Sequence, residues 1–457
     1  MITIPKGILS FFGKQTSRRM LDYLDKDPTV NLPRVLDLVL KAPLHPEHRN
    51  EVLLLQRELQ SNRDLQQIVE RIFHLSDKNV QHRGIVNVLL NSYLVWKGRH
   101  EQLVKELGCN IPAAILIDPT SRCNLHCEGC WAGAYSKHDT LSFDEVDRIV
   151  SEAKELGIHF IAMSGGEPLL WPHLLDLCRK HTDVEFMMYT NGTFIDEDMA
   201  EAMRAAGNMS PAISLEGHRE ETDARRGKGV FDKIMAAMDH LKAHGVLFGA
   251  SVTITRHNCR EVFSDEFIDR LIEKGVLYMW GFHYIPIGRN PDFSLRITPE
   301  QRAELLERVR WVRRNRPILI ADFWNDGNLV DGCIAGGRRY FHIAADGGVE
   351  PCAFAHFSNE NIKGRSLKEI LQSPLFRAFQ KRQPFNHNML RPCPIIDNPQ
   401  MLREIIAESG AKPTHAGADA ILFEPEANEL DQTAAAWGAE AERLEASAGR
   451  GDGLPRE

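Results

Sequence analysis

The sequence predicts an α/β protein, a partial (β/α)6 barrel with an all-α N-terminal domain before it and a small C-terminal extension after it. Three observations lead there. From about Ala113 to Ile287, short β-prone runs alternate with longer amphipathic stretches. The hundred or so residues before them carry apolar side chains at helical spacing. After roughly Pro317 the alternation breaks down and cysteines return.

In chain order, Leu32–Leu40, Val52–Leu55, Leu65–Phe73 and Ile85–Trp96 read as helices, ending near Pro112. The expected strands are Ala113–Asp118, His159–Ser164, Glu185–Thr190, Pro211–Leu215, Leu247–Ile254 and Tyr278–Ile287. Helices are expected between them at Ser142–Leu156, Leu169–Lys180, Asp196–Ala206, Val230–His244 and Asp265–Lys274. Ser142 with Glu145 three residues on has the form of a capping box. Six β-then-α units imply a parallel sheet, curved or barrel-like, with its chemistry at the C-terminal strand ends. The expected divisions are 1–110 (helical), 111–316 (barrel), 317–423 (extension) and 424–457 (an acidic, partly disordered tail with one helix near Gln432–Ala446).

The 457 residues are 43% hydrophobic and 26% charged, as in soluble globular proteins. The net charge of -8 argues against a general nucleic-acid binder. No run approaches the roughly 20 apolar residues that cross a bilayer, and Met1–Leu24 lacks the layout of a secretory signal. The expected location is the cytoplasm. Ile8, Leu9, Phe11 and Phe12 with Lys14, Arg18 and Arg19 nearby allow contact with a membrane surface, or simple packing on the domain. Nine cysteines, an odd number, do not suggest a disulfide framework.

The segment Ser121-Arg122-Cys123-Asn124-Leu125-His126-Cys127-Glu128-Gly129-Cys130-Trp131 directly follows the first expected strand. Three cysteines on one tight loop can turn their sulfurs onto a single metal centre. Thiolates suit both iron–sulfur clusters and zinc, and His126 is a conceivable fourth zinc ligand. Around a four-iron cube, three cysteines leave one iron open. The second strand leads into Met163-Ser164-Gly165-Gly166-Glu167-Pro168. Paired glycines there let a ligand approach the backbone, and a carboxylate can grip an ammonium group.

Cys-x3-Cys-x2-Cys followed one β/α unit later by Gly-Gly-Glu-Pro resembles the radical S-adenosylmethionine (SAM) superfamily. The resemblance implies a TIM-like partial barrel in which Cys123, Cys127 and Cys130 hold a [4Fe-4S] cluster. It implies that SAM is cleaved reductively there to a 5′-deoxyadenosyl radical, which abstracts hydrogen from a substrate. It places Gly165, Gly166, Glu167 and Pro168 at the amino group of SAM, and Asn191, Ser214 and Glu216 at the next strand ends. Arg225 or its neighbour Arg226 would meet the SAM carboxylate, and the segment Tyr284–Arg289 the adenine. Relatives usually have an aromatic residue just before the third cysteine. Gly129 stands there instead, and Trp131 is a candidate to shield the cluster or adenine in its place.

Cys333, Cys352 (in Gly347-Gly348-Val349-Glu350-Pro351-Cys352) and Cys393 are similar to a truncated auxiliary-cluster (SPASM/twitch-like) extension. This implies a second [4Fe-4S] cluster, with Asp397 as a possible oxygen ligand. Cys109, Cys178 and Cys259 have no partner pattern and read as structural. The implied partners are a flavodoxin or ferredoxin as reductant, and a substrate among peptides, cofactor precursors and lipids. A non-catalytic electron-transfer protein or a zinc-stabilised binding protein are the readings from other classes.

Overall fold

The computed structural model describes residues 14–41, 46–88 and 96–448. Six helices come first: α1 (Lys14–Lys26), α2 (Pro28–Leu40), α3 (Pro46–Ser61), α4 (Arg63–Leu75), α5 (Lys78–Ile85) and α6 (Trp96–Leu107). Most of the expected Ile85–Trp96 helix, residues 89–95, lies outside the described residues. So do residues 1–13 of the proposed membrane-contact segment and the expected disordered end from residue 449.

The α/β region then runs β1 (Ile115–Ile117), α7 (Phe143–Glu155), β2 (Phe160–Met163), α8 (Leu174–Lys180), β3 (Glu185–Thr190), α9 (Glu197–Ala206) and β4 (Met209–Ser214). It continues through α10 (Arg219–Arg226), α11 (Val230–Ala243), β5 (Gly249–Ile254), α12 (Asp265–Lys274), β6 (Tyr278–His283), α13 (Pro299–Asn315) and β7 (Leu319–Asp322). Strands β1 to β7 are parallel and in sequential order. Their near-continuous apolar runs, such as Phe160–Met163, are those of strands covered on both faces. The capping box at Ser142 and Glu145 starts α7 as expected.

Two features depart from the expected layout. The parallel sheet has a seventh strand, β7, beyond the expected break at residue 316. The chain then adds α14 (Gly327–Val330), β8 (His342–Ile343) and β9 (Val349–Glu350), and β8 pairs in parallel with β1 on the opposite edge. The sheet order is β7-β6-β5-β4-β3-β2-β1-β8-β9, so the cysteine-bearing extension grows directly out of the barrel sheet. Beyond it lie β10 (Phe357–Ser358), α15 (Leu367–Ile370), α16 (Pro374–Arg382), α17 (Pro399–Ser409), β11 (Lys412–Pro413) and α18 (Glu426–Ala448). The tail is thus ordered through residue 448. Leu430, Trp437 and Ala441 of α18 are buried, and the Arg302 guanidinium of α13 lies 4.1 Å from the Trp437 ring centroid.

The N-terminal helices close the face of the barrel remote from the cysteine loop. Arg71 donates to the carbonyls of Ile272 and Val276, both at 2.9 Å, and to that of Pro317. Asp77 N–H donates to Gly245 O at 2.8 Å, and Asn79 to Arg204 O at 2.9 Å. All these acceptors lie in or beside turns that lead into strands β4 to β7. Burial pulls the Arg71 pKa down to about 10, still far above neutrality, so the three bonds from α4 to the barrel carry a permanent charge.

Candidate active site

The loop Cys123–Cys130 leaves the end of β1 and is held by the neighbouring strand ends. Its three thiols are partly exposed and unpaired. Gly166 N–H donates to Thr120 O at 2.9 Å, and Glu167 N–H to Arg122 O at 2.7 Å. A methyl group at Gly166 would collide with the Arg122 carbonyl. The glycines are therefore needed where two segments of this chain meet, β2's turn and the cysteine loop. Gly166→Ala is expected to displace the loop and cost most of the bound iron, measured by iron analysis of anaerobically purified protein.

Glu167, expected beside an ammonium group, is bonded to its own neighbours in the chain. Its carboxylate is buried and accepts from Asn191 N at 2.8 Å, Thr190 Oγ1 at 2.7 Å and Leu169 N at 3.2 Å. Burial pushes its pKa up against these bonds. The side chain locks the end of β2 to that of β3, which leaves the backbone of Gly165–Pro168 as the surface a ligand can meet. Asn191 continues the lock, with Nδ2 2.8 Å from Asn124 Oδ1 and 4.0 Å from Cys123 Sγ. Ser214 is half-buried at the end of β4, in register with Ser251 of β5.

Glu216 also turns inward. One of its oxygens takes Arg225 Nη1 at 2.6 Å and Arg226 Nε at 2.9 Å, and the other accepts Thr253 N–H at 3.2 Å. Arg225 also reaches Gly129 O at 3.4 Å, and its own carbonyl accepts Glu128 N–H at 3.0 Å. Arg225 is therefore spent on the loop backbone. Arg226 lies close enough to the thiols to feel their charge. Burial pulls its pKa down, but Glu216 and the thiolates of Cys127 and Cys130 outweigh burial and hold it above the ordinary value.

The aromatic residue missing before Cys130 arrives from elsewhere. The Tyr284 ring, just past β6, occupies the space that a side chain at 129 would need. Trp131 does not face the thiol loop alone. Its ring meets His342 at 5.5 Å and Phe354 and His356 at 6.1 Å, toward the extension. Beneath it His342 is fully buried between Asp118 at 3.0 Å and Glu350 at 2.7 Å, while Tyr135 donates to Glu350 at 2.8 Å. Burial opposes the imidazolium, but the two carboxylates raise its pKa to about 10. This buried chain ties the residue after β1, five before Cys123, to β9, two residues before Cys352.

Cys333, Cys352 and Cys393 converge electrostatically. Burial lifts the Cys333 thiol to about 12, with Cys352 adding to the rise, and Cys393 is pushed up by burial, Asp397 and Cys333. Cys352 Sγ receives Phe354 N–H at 3.4 Å and lies 2.9 Å from the Tyr340 hydroxyl. Cys393 Sγ receives Ile395 N–H at 3.3 Å. Asp397 is not a free oxygen ligand: it is fully buried, pairs with Arg302 at 2.6 Å and accepts Cys393 N–H at 3.0 Å. Cys109, Cys178 and Cys259 are buried.

The donor sets fit iron–sulfur clusters better than zinc. Thiolates bound to one zinc ion at about 2.3 Å must lie ~3.8 Å apart. Among the described residues, the sole set of three metal-binding atoms within 4.8 Å of one another is His387, Glu442 and Glu445 on the surface, so neither cysteine triplet closes that tightly. His126 is exposed. N–H groups aimed at the sulfurs are what tune a cluster.

A family model described as the radical SAM superfamily matches residues 117–279. One described as an iron–sulfur cluster-binding domain (SPASM) matches residues 333–394. An Fe-coproporphyrin III synthase of Methanosarcina barkeri is 31% identical over 308 residues, 59% of this chain and 77% of the relative. The mycofactocin maturase of Mycobacterium tuberculosis is 30% identical, covering 61% and 75%. Among solved structures, Streptococcus suis SuiB bound to its precursor peptide SuiA superposes with a TM-score of 0.55 at 17% identity, covering 65% of this chain and 74% of that one. That likeness shows a shared fold. The chain belongs to the radical SAM superfamily and carries its SPASM-type extension.

Proposed function

We propose that Cys123, Cys127 and Cys130 hold the [4Fe-4S] cluster that cleaves SAM, and that Cys333, Cys352 and Cys393 hold an auxiliary cluster. The observation that carries this is the three-thiol loop, braced by Gly166, Asn191 and Tyr284 from the ends of β2, β3 and β6 and by Arg225 from α10. When bound, the cluster supplies one electron that breaks a SAM carbon–sulfur bond, giving a 5′-deoxyadenosyl radical for hydrogen abstraction. The protein's share is positioning and shielding. Arg226 offsets negative charge beside Cys127 and Cys130. The backbone of Gly165–Pro168 presents carbonyls to the SAM amino group, and Ser214 offers its hydroxyl at the next strand end but one.

The proposed divisions are a helical part over 1–110, the barrel over 111–316, the auxiliary-cluster extension over 317–423 and the tail over 424–457. The substrate lies among peptides, cofactor precursors and lipids; the named relatives are an Fe-coproporphyrin III synthase and a mycofactocin maturase, and SuiB was seen with a precursor peptide. A flavodoxin or ferredoxin is the proposed electron donor and the cytoplasm the proposed location. Among the described residues no helix is long and apolar enough to cross a membrane.

Reduced protein incubated with SAM should release 5′-deoxyadenosine and methionine; their absence from iron-loaded protein contradicts the assignment. Cys352→Ala should lower iron from about eight to about four per chain while SAM cleavage persists. Unchanged iron content would show that these cysteines hold no cluster.

A further inference from the structure

Strands β8 and β9 run antiparallel, with His342 opposite Glu350 and Ile343 opposite Val349. Side chains along a strand alternate between faces, so two steps back from His342 and two steps on from Glu350 lead to the same face. Those positions hold Tyr340 and Cys352. The Tyr340 hydroxyl lies 2.9 Å from Cys352 Sγ. We propose that Tyr340 is a positioning residue of the auxiliary site: its hydroxyl donates a hydrogen bond to the Cys352 sulfur and makes the cluster held there easier to reduce. The inference rests on the reading of Cys333, Cys352 and Cys393 as cluster ligands and adds a residue that sets the potential of that cluster.

The direction of the bond follows from chemistry. A cysteine bound to iron is a thiolate with no proton to give, whereas a phenol, with an ordinary pKa of about 10, keeps its own at neutral pH. Reduction makes the sulfurs more negative, so an O–H donor beside one of them favours the reduced cluster. Backbone groups also donate to the auxiliary sulfurs, Phe354 N–H to Cys352 at 3.4 Å and Ile395 N–H to Cys393 at 3.3 Å. Those bonds follow from the path of the loops, whatever side chains the loops carry. Among the described residues Tyr340 is the side chain that donates to an auxiliary sulfur, so its bond depends on the residue type at that position.

Three features hold the hydroxyl in place. Arg339 N–H and Tyr340 N–H both donate to Ile334 O, at 2.9 and 3.1 Å, which ties Tyr340 to the residue after Cys333. Its ring packs against the apolar cluster of Leu116, Ala162, Met187 and Ala353. Two residues on, His342 is clamped between Asp118 at 3.0 Å and Glu350 at 2.7 Å. That clamp fixes the β8–β9 register, and the register sets Tyr340 opposite Cys352. Phenylalanine at this position would keep the ring and its packing and lose the O–H alone.

The test uses the iron-loaded full-length chain carrying Cys127→Ala, whose remaining iron belongs to the auxiliary site, with and without Tyr340→Phe. A redox titration followed by electron paramagnetic resonance should place the midpoint lower in Tyr340→Phe by about tenfold in the one-electron equilibrium, or about 59 mV. Electron–nuclear double resonance of the reduced cluster, in protein assembled in ordinary and in heavy water, supplies a second readout. It should show one coupled exchangeable proton fewer in Tyr340→Phe, a loss that repacking alone does not cause. An unchanged or raised midpoint, or an unchanged set of exchangeable protons, would overturn the inference. So would Tyr340→Phe protein without iron, because the hydroxyl would then retain the cluster rather than set its potential. A Cys127→Ala parent that holds no iron–sulfur cluster would sink the reading beneath it, whereas a parent with a cluster and no shift would sink only the role of Tyr340.

Discussion

Cys127→Ala is expected to reduce 5′-deoxyadenosine formation to background, a loss beyond the 10–100-fold that changes outside the ligand shell of a metal typically cause. Cys127 is the middle thiol of the loop, and Arg289 Nη1 holds its carbonyl at 3.1 Å. Without that thiol two ligands cannot keep a cubane in place. The variant should lose about half the iron of the wild type, with the auxiliary site retained. Cleavage at more than a few per cent of the wild-type rate would mean that the cluster is ligated elsewhere.

Glu216→Gln should have the largest effect of any substitution outside the cysteines. Glu216 is 1% exposed and is the carboxylate partner of both Arg225 and Arg226. Removing its charge leaves two largely buried guanidiniums unbalanced, at a cost of about 3–5 kcal/mol. The same change frees the Arg225 guanidinium, which braces Gly129 O. Lower thermal stability and poor iron retention should therefore appear together. Arg226→Gln is milder, because Glu216 keeps Arg225, but it removes positive charge beside Cys127 and Cys130 and should make cluster reduction harder. Wild-type melting and iron content in Glu216→Gln would show that the triad is not a structural hub.

The Cys123–Cys130 loop motif, the six β/α units and the α7 cap were legible because each depends on residues close in sequence. The cap at Ser142 and Glu145 spans four residues, and the first triplet spans eight. What sequence could not supply was pairing over long separations. Tyr284 filling the space beside Gly129 joins residues 155 positions apart, and nothing local in Tyr284-Ile285-Pro286 signals it. Glu167 and Glu216 were read as ligand-facing because a carboxylate at a strand end has two options, outward to a ligand or inward to neighbouring N–H groups and arginines. The inward partners Thr190, Asn191, Arg226 and Thr253 become visible only once the strands are placed side by side. Strand β7 was missed because it is four residues long, begins with the exposed Leu319 and adjoins a long helix. Leu430, Trp437 and Ala441 already had helical spacing, but the Ala-, Glu- and Gly-rich tail around them masked how much of it packs.

The most direct test of the central claim is electron paramagnetic resonance of reduced Cys352→Ala protein, with and without SAM. That variant should leave the cluster on Cys123, Cys127 and Cys130 as the sole paramagnetic centre. If the open iron binds SAM, the cluster's g values should shift on addition of SAM. A spectrum unchanged at saturating SAM, or no iron–sulfur signal at all, would contradict the assignment of the loop as the SAM-cleaving centre.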